Sequence, residues 1–221
     1  MIGFYAQIQR DLFISWQNRY DILIILSFFI VIVTFFPLAI GSSGRILGFL
    51  GIPIIWVSAL LASLAGFERL FSQDVRDGWI DQVSLSNLEF GWYAIAKATT
   101  HWLATGLPLL IATPVLCLVL GISYSRIPTV CIALLLGSMA FTLVGIIGAA
   151  LCEGAKRTTA LMALIILPLS FPILIFGTLA SANEDGIISP HLMLLSAVFL
   201  VLLALAPLVA AYSFDAFDLE T

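Results

Sequence analysis

Side chains able to do chemistry are few in this 221-residue chain, and their spacing limits what they can do. The two histidines, His101 and His191, are the candidates for ligating metal or haem iron, because an imidazole nitrogen is a common ligand for both. No C-x-x-C-H attachment motif accompanies them. Three cysteines, Cys117, Cys131 and Cys152, lie within or beside apolar runs without C-x-x-C spacing, so they indicate neither a disulfide framework nor a zinc site. Patterns of the type G-x-x-x-x-G-K-S/T, H-E-x-x-H or G-x-S-x-G are missing from the sequence, which argues against an autonomous ATPase, metalloprotease or esterase. Polar chemistry is concentrated in one stretch, "FERLFSQDVRDGWIDQ", Phe67 to Gln82. It carries six of the 22 charged side chains (13 acidic plus 9 basic). Within it Asp74 and Asp77, three residues apart, share a face if the stretch is helical.

The elements that must hold these residues are membrane spans. Sixty-two per cent of the chain is apolar, 10% is charged and the mean hydropathy is +1.14, against about 45–50% apolar and about 25% charged in ordinary globular domains. Six runs are long enough to cross a bilayer as helices: Ile22 to Ile40, Ile46 to Phe67, Leu103 to Gly121, Pro128 to Leu151, Thr159 to Ala180 and Leu192 to Ser213. They lack the alternation of a barrel strand, so the expectation is an all-α membrane protein forming one transmembrane domain over residues 1–221. Ionisable residues do not enter the span interiors on this reading; Glu68 and Glu153 stand at span ends. A proton pump or intramembrane enzyme would place such groups inside.

Orientation follows from the cations. With the amino terminus inside, Arg10, Arg19, Arg69, Arg76, Lys97, Lys156 and Arg157 fall on the inner side, against Arg45 and Arg126 outside. Both termini are then cytoplasmic. His101 begins the third span on the inner side and His191 the sixth on the outer side, about 30 Å apart, too far to share one site in a subunit. The net charge of −4 and the lack of a Lys/Arg cluster exclude a nucleic-acid surface. Before the first span, residues 1–21 place Phe4, Ile8, Leu12 and Trp16 at helical spacing with Tyr5 and Phe13 beside them, while Gln7, Arg10, Asp11 and Asn18 are polar, an amphipathic interfacial helix that serves either as an anchor or as a brace. Prolines at 37, 53, 108, 114, 168, 172 and 207 predict bent spans. Ala133, Gly137, Gly145 and Ala149 in the fourth span offer small faces for close packing, within the subunit or in a homodimer.

Residues 68–102, between the second and third spans, read as a cytoplasmic hairpin. A short helix bearing Asp74 and Asp77 stops at Gly78, and a second amphipathic piece presents Trp79, Ile80, Val83 and Leu85 to the cytoplasm or the interface. Ser86 and Glu89 then have capping-box spacing, which predicts a new helix from Asn87. A passive loop on lipid headgroups and a handle gripped by a soluble partner both fit this composition.

At this point the chain resembles the cytochrome c maturation protein B family, also called the haem exporter protein B family. The similar stretches are "FFPLAIG" (Phe35 to Gly41), "IIWVSALLASLAGFERLFSQDVRDG" (Ile54 to Gly78), "KATTHWLATGLPLLIATP" (Lys97 to Pro114) and "LPLSFPILIFG" (Leu167 to Gly177). The resemblance implies a six-helix permease-type subunit of an ABC complex in the bacterial inner membrane. Its implied partners are a separate ATPase that binds ATP, a haem-handling membrane subunit, a small single-span subunit and, indirectly, a periplasmic haem chaperone. A homodimer within the complex is expected as well. Haem is the implied cargo, and no directly bound cofactor or metal and no catalysis by this chain are expected. The motif residues carried over for ATPase coupling are Glu68, Arg69, Phe71, Asp74, Asp77, Gly78 and Trp79; those of the third-span motif are Lys97, His101, Trp102, Gly106 and Pro108. One departure is that "SLSNLEFGWYAIAK" lacks the proline expected after the coupling piece. Two rival functions remain open: a generic ABC exporter permease for a lipid or drug, and a membrane protein that ligates haem through His101 or His191.

Overall fold

A computed structural model describes residues 2–41, 44–86, 88–152, 158–183 and 189–218, which are helical apart from short turns and contain no strand. Helix α1 (Ile2–Gln17) turns at Asn18 into α2 (Arg19–Ile40), followed by α3 (Gly44–Phe67), the short α4 (Ser72–Arg76) and α5 (Trp79–Ser84), and α6 (Phe90–His101). A π-helical turn, Trp102–Gly106, joins α6 to α7 (Leu107–Val119); α8 (Ile127–Cys152), α9 (Thr158–Ala182) and α10 (Pro190–Asp218) complete the chain. Among the described residues six helical stretches are long and apolar enough to cross a membrane. This is an all-α, multi-pass membrane protein.

Five of the six expected spans lie within a few residues of their helices. The third, expected from Leu103 as the continuation of a helix that enters the membrane after Lys97, belongs to one helical stretch from Phe90 to Val119, 30 residues. Lys97 does not end that helix, because its charge is paired inside the protein. His101 is therefore the twelfth residue of α6 and not the first of a span. Lys156, Arg157, Glu153 and the helix start expected at Asn87 lie outside the described residues, as does the side chain of Arg45.

The core is organised around α8, which packs against α3, α9 and α10. Its small residues receive side chains from its neighbours. The Trp56 ring of α3 lies between Gly137 of α8 and Gly177 of α9, so close that an added Cβ would come within 2.3 and 2.2 Å of it. The indole N–H donates to Ser181 Oγ at 2.9 Å, which satisfies the one polar atom of a fully buried ring. Phe67 fills the space over Gly145 and Ile166 that over Gly148. Of the two uses expected for the small face, the structure has the one inside the subunit: Ala133, Gly137, Gly145 and Ala149 are all buried.

Candidate functional site

At one end of the bundle α1, α4, α5 and α6 converge on Asp74, which is only 2% exposed. An ionised carboxylate can be buried only if charge and hydrogen bonds replace its water. Arg10 Nη2 of α1 donates to Oδ1 at 3.0 Å, and Oδ2 accepts from Tyr93 Oη and Lys97 Nζ of α6, each at 2.5 Å. A second carboxylate, Asp11 of α1 (5% exposed), completes a formally neutral quartet. It accepts from Arg10 Nη1 at 2.9 Å and Gln7 Nε2 at 2.9 Å, with Lys97 Nζ 3.5 Å away. Burial, the largest influence, raises the Asp11 carboxyl above the ordinary carboxylate range against the pull of Lys97, and the nearby Asp74 charge pushes the same way.

Local sequence explains how the cluster assembles. Gln7, Arg10 and Asp11 lie at i, i+3 and i+4 and form one stripe of α1. That stripe faces the protein, while Tyr5, Phe13 and Trp16 (78% exposed) face outward. Helix α1 thus exposes its aromatic side and is ionically tied to the bundle on the other, which fits a brace as well as an anchor. Tyr93 and Lys97, four apart on α6, share the facing stripe. Gly78 adopts φ 66°, a left-handed conformation that a β-carbon disfavours, and this separates α4 from α5 as expected. The break swings Trp79 back over α1, where its N–H donates to Gln7 Oε1 at 3.0 Å and its ring lies 3.9 Å from the Arg10 guanidinium carbon.

Apolar contacts extend the cluster to the last helix. Phe71, fully buried, packs on Tyr93 and edge-on against Phe214 of α10, with ring centroids 5.9 and 5.0 Å apart. Helices α4 and α6 are therefore joined to α10 as well as to α1.

Of the residues proposed from sequence, Phe71, Asp74, Trp79 and Lys97 come together here. Arg69 lies at the edge of the cluster in an ion pair with Asp21 of α2, Glu68 is exposed beside it, and Asp77 faces outward with Arg76 and Asp81. The apolar knobs expected at the hairpin are mostly absent: Ile80 and Val83 are buried and Trp79 is half-buried, while Leu85, 89% exposed, alone stands out. A six-residue helix against the bundle end gives these side chains an interior to enter. The capping box is not formed either. Ser86 Oγ donates back to Val83 O and accepts from Leu88 N–H, closing α5, and α6 starts at Phe90 with no side-chain cap from Glu89.

His101 lies deeper, its ring tilted against Phe67 with centroids 5.5 Å apart and its Nε2 buried without a hydrogen-bond partner. It lines a cavity of about 170 Å³ shared with Asp11, Asp21, Arg69, Asp74 and Lys97. Trp102 donates to Ser138 Oγ of α8 at 2.9 Å, Gly106 lies beneath the Trp102 ring, and Pro108 opens α7. His191 stands at the start of α10, at the far end from Phe214 and the charge cluster, with Nδ1 unpartnered. Sequence reasoning missed Gln7, Arg10, Asp11 and Tyr93 as parts of the site. The polar stripe of α1 and the Tyr93/Lys97 pair were the available signals.

Fold and site together define a polytopic α-helical membrane protein whose α4–α5 hairpin is locked to its long helices by buried charge. The chain matches the CcmB protein family over residues 2–216 and belongs to it. It is 41% identical over 218 residues to the heme exporter protein B of Bradyrhizobium diazoefficiens, covering 96% of this chain and 97% of that one. The proteins of that name from Pseudomonas aeruginosa and Escherichia coli K12 are 40% identical over 188 residues and 35% over 210. They cover 84% of this chain and 84% of the relative, and 94% and 96%, respectively.

Proposed function

We propose that this chain is the membrane subunit of a haem-export machine serving cytochrome c assembly, and that it turns ATP hydrolysis on a separate ABC ATPase into movement of its helices. The haem assignment rests on family membership and on the relatives' name. The coupling assignment rests on one observation: the α4–α5 hairpin presents Arg76, Asp77, Asp81 and Leu85 outward while its inner face is tied through Asp74 to α1 and α6. A push on the outer face is thereby delivered to the third span and, through Phe71 and Phe214, to the sixth.

The bundle end carrying the hairpin is cytoplasmic on this reading, in a bacterial inner membrane, where a soluble ATPase can reach it. Release of a haem-loaded periplasmic chaperone, a haem-handling membrane subunit, a small single-span subunit and a second copy of this chain complete the assembly. His101 packs against Phe67 and its Nε2 is buried, which favours coupling over direct haem ligation at this histidine.

The test is co-purification of the ATPase with wild type and with an Asp77→Ala, Asp81→Ala variant, followed by cytochrome c assembly in cells. Both substitutions are on the exposed face, so the chain should accumulate normally while ATPase recovery and c-type cytochrome fall together. Normal recovery with normal cytochrome c would remove the hairpin from the interface.

A further inference from the structure

We propose that the third span is a jointed lever, in which the buried charge cluster and the π-helical turn are two ends of one conformational switch. The starting observation is the turn itself. Leu107 N–H donates to Trp102 C=O, a five-residue step that puts one extra residue into an otherwise continuous helix from Phe90 to Val119. Pro108, directly after the turn, contributes to it: it has no N–H to donate and its ring crowds the Ala104 carbonyl, so the helix is already loosened at this point. The turn is also held from outside. Trp102 Nε1 is anchored to Ser138 Oγ on α8, the ring covers Gly106 so tightly that a Cβ there would lie 2.5 Å from it, and Thr105 Oγ1 donates to the His101 carbonyl.

An extra residue in a helix can migrate along it. If the π turn moves toward the start of α6, each residue it passes turns by about 100° and advances about 1.5 Å relative to α7. It would pass His101 first and reach Lys97 four residues later. The turn of Lys97 withdraws its ammonium from Asp74, so opening of the charge cluster and migration of the π turn are the same motion. His101 shows where that motion leads. In the described state its Nε2 is buried and unpartnered beside Gly66 and Phe67, and the adjoining cavity offers Asp11, Asp21, Lys97 and Thr105 as polar walls. Rotation takes the imidazole from an apolar wall, where its nitrogen is unsatisfied, toward groups and waters that satisfy it. The non-helical Leu88 and Glu89 ahead of α6 can absorb the displaced residue. Trp102, Gly106 and Ser138 are then positioning residues that hold the turn in place until Asp74 is pulled.

This inference rests on the proposed coupling only for the source of the pull, so the joint can be tested without nucleotide. Hydrogen exchange is followed in the purified complex for amides Trp102–Leu107, with wild type, Asp74→Asn and Ser138→Ala. The joint begins five residues beyond Lys97, about 7–8 Å along the helix. Asp74→Asn should nevertheless accelerate exchange at Trp102–Leu107 by about tenfold or more while α8 and α9 keep wild-type protection. Acceleration confined to α4, α5 and the first turns of α6 would overturn the joint. Should Asp74→Asn loosen the whole bundle, Ser138→Ala decides, because it releases Trp102 without touching the cluster. Faster exchange at Tyr93–Lys97 in that variant supports the joint, and unchanged exchange there overturns it. Addition of ATP separates the two readings: a joint that responds to the substitutions but not to hydrolysis leaves the lever intact and the proposed coupling wrong.

Discussion

Asp11 is the residue at which burial and charge are least well matched. Its carboxylate shares Arg10 and Lys97 with Asp74, and Asp74 holds the shorter contact to Lys97, 2.5 against 3.5 Å. Burial consequently dominates and raises the folded-state pKa above the ordinary value of 3.8. A carboxyl that binds its proton more tightly when folded favours the folded state fully below the unfolded value. That contribution is lost as pH rises through the folded value. Wild-type stability minus that of Asp11→Asn should therefore decrease as pH is raised from about 3.8 toward neutrality, because the variant has no proton to lose. Thermal unfolding of both proteins in one detergent across that range measures the difference. A difference that is flat or grows with pH would place Asp11 as a well-compensated ion, with Arg10 and Gln7 sufficient to hold it charged.

At the scale of helices, close contact between α3, α8 and α9 depends on rings lying against glycines. A methyl group at Gly137 would fall 2.3 Å from the Trp56 ring, which is enclosed also by Gly177 and Phe141 and has its N–H fixed on Ser181. The ring has no room to retreat, so Gly137→Ala should destabilise the bundle by about 1–3 kcal/mol despite improving helix propensity. Gly48, with nothing within 4 Å of its Cβ position, is the control, and Gly48→Ala should be neutral or slightly stabilising in the same unfolding measurement. These elements were largely legible from sequence: continuous apolar runs read as spans, and Gly78 as the break between α4 and α5. Less legible was the direction each face takes. Ile80 and Val83 point inward because the bundle end supplies an apolar seat, which no local pattern encodes. Asp74 and Asp77 read as equivalent neighbours, yet Arg10, 64 residues away, selects only Asp74 for burial. Pro108 signals a disturbed helix but not the form it takes, and Trp102, Ser138 and Gly106 become meaningful only when α8 is in place.

The whole molecule has two unlike ends, and their difference predicts its orientation in a bilayer. Arg10, Arg19, Arg69, Arg76 and Lys97 lie at or near the end formed by α1, α4, α5 and the start of α6, whereas Arg126 is the described cation of the opposite end. Cationic segments resist translocation, so the crowded end should remain cytoplasmic. Aromatic placement marks this end as an interface without choosing its side: Tyr5, Phe13, Trp16 and Tyr20 are exposed along α1 and the start of α2, where rings suit the boundary between headgroups and hydrocarbon. The 22-residue α2 beginning there is about 33 Å long, enough to carry the chain across a core of about 30 Å. Two exposed positions report the two ends, Leu85 in the hairpin at 89% and Tyr124 before α8 at 78%. With the native cysteines replaced, Leu85→Cys should react with a membrane-impermeant maleimide only in inverted membrane vesicles, and Tyr124→Cys only in right-side-out vesicles. The opposite pattern would put the hairpin outside the cell, beyond the reach of a cytoplasmic ATPase, and would defeat the coupling assignment together with the orientation.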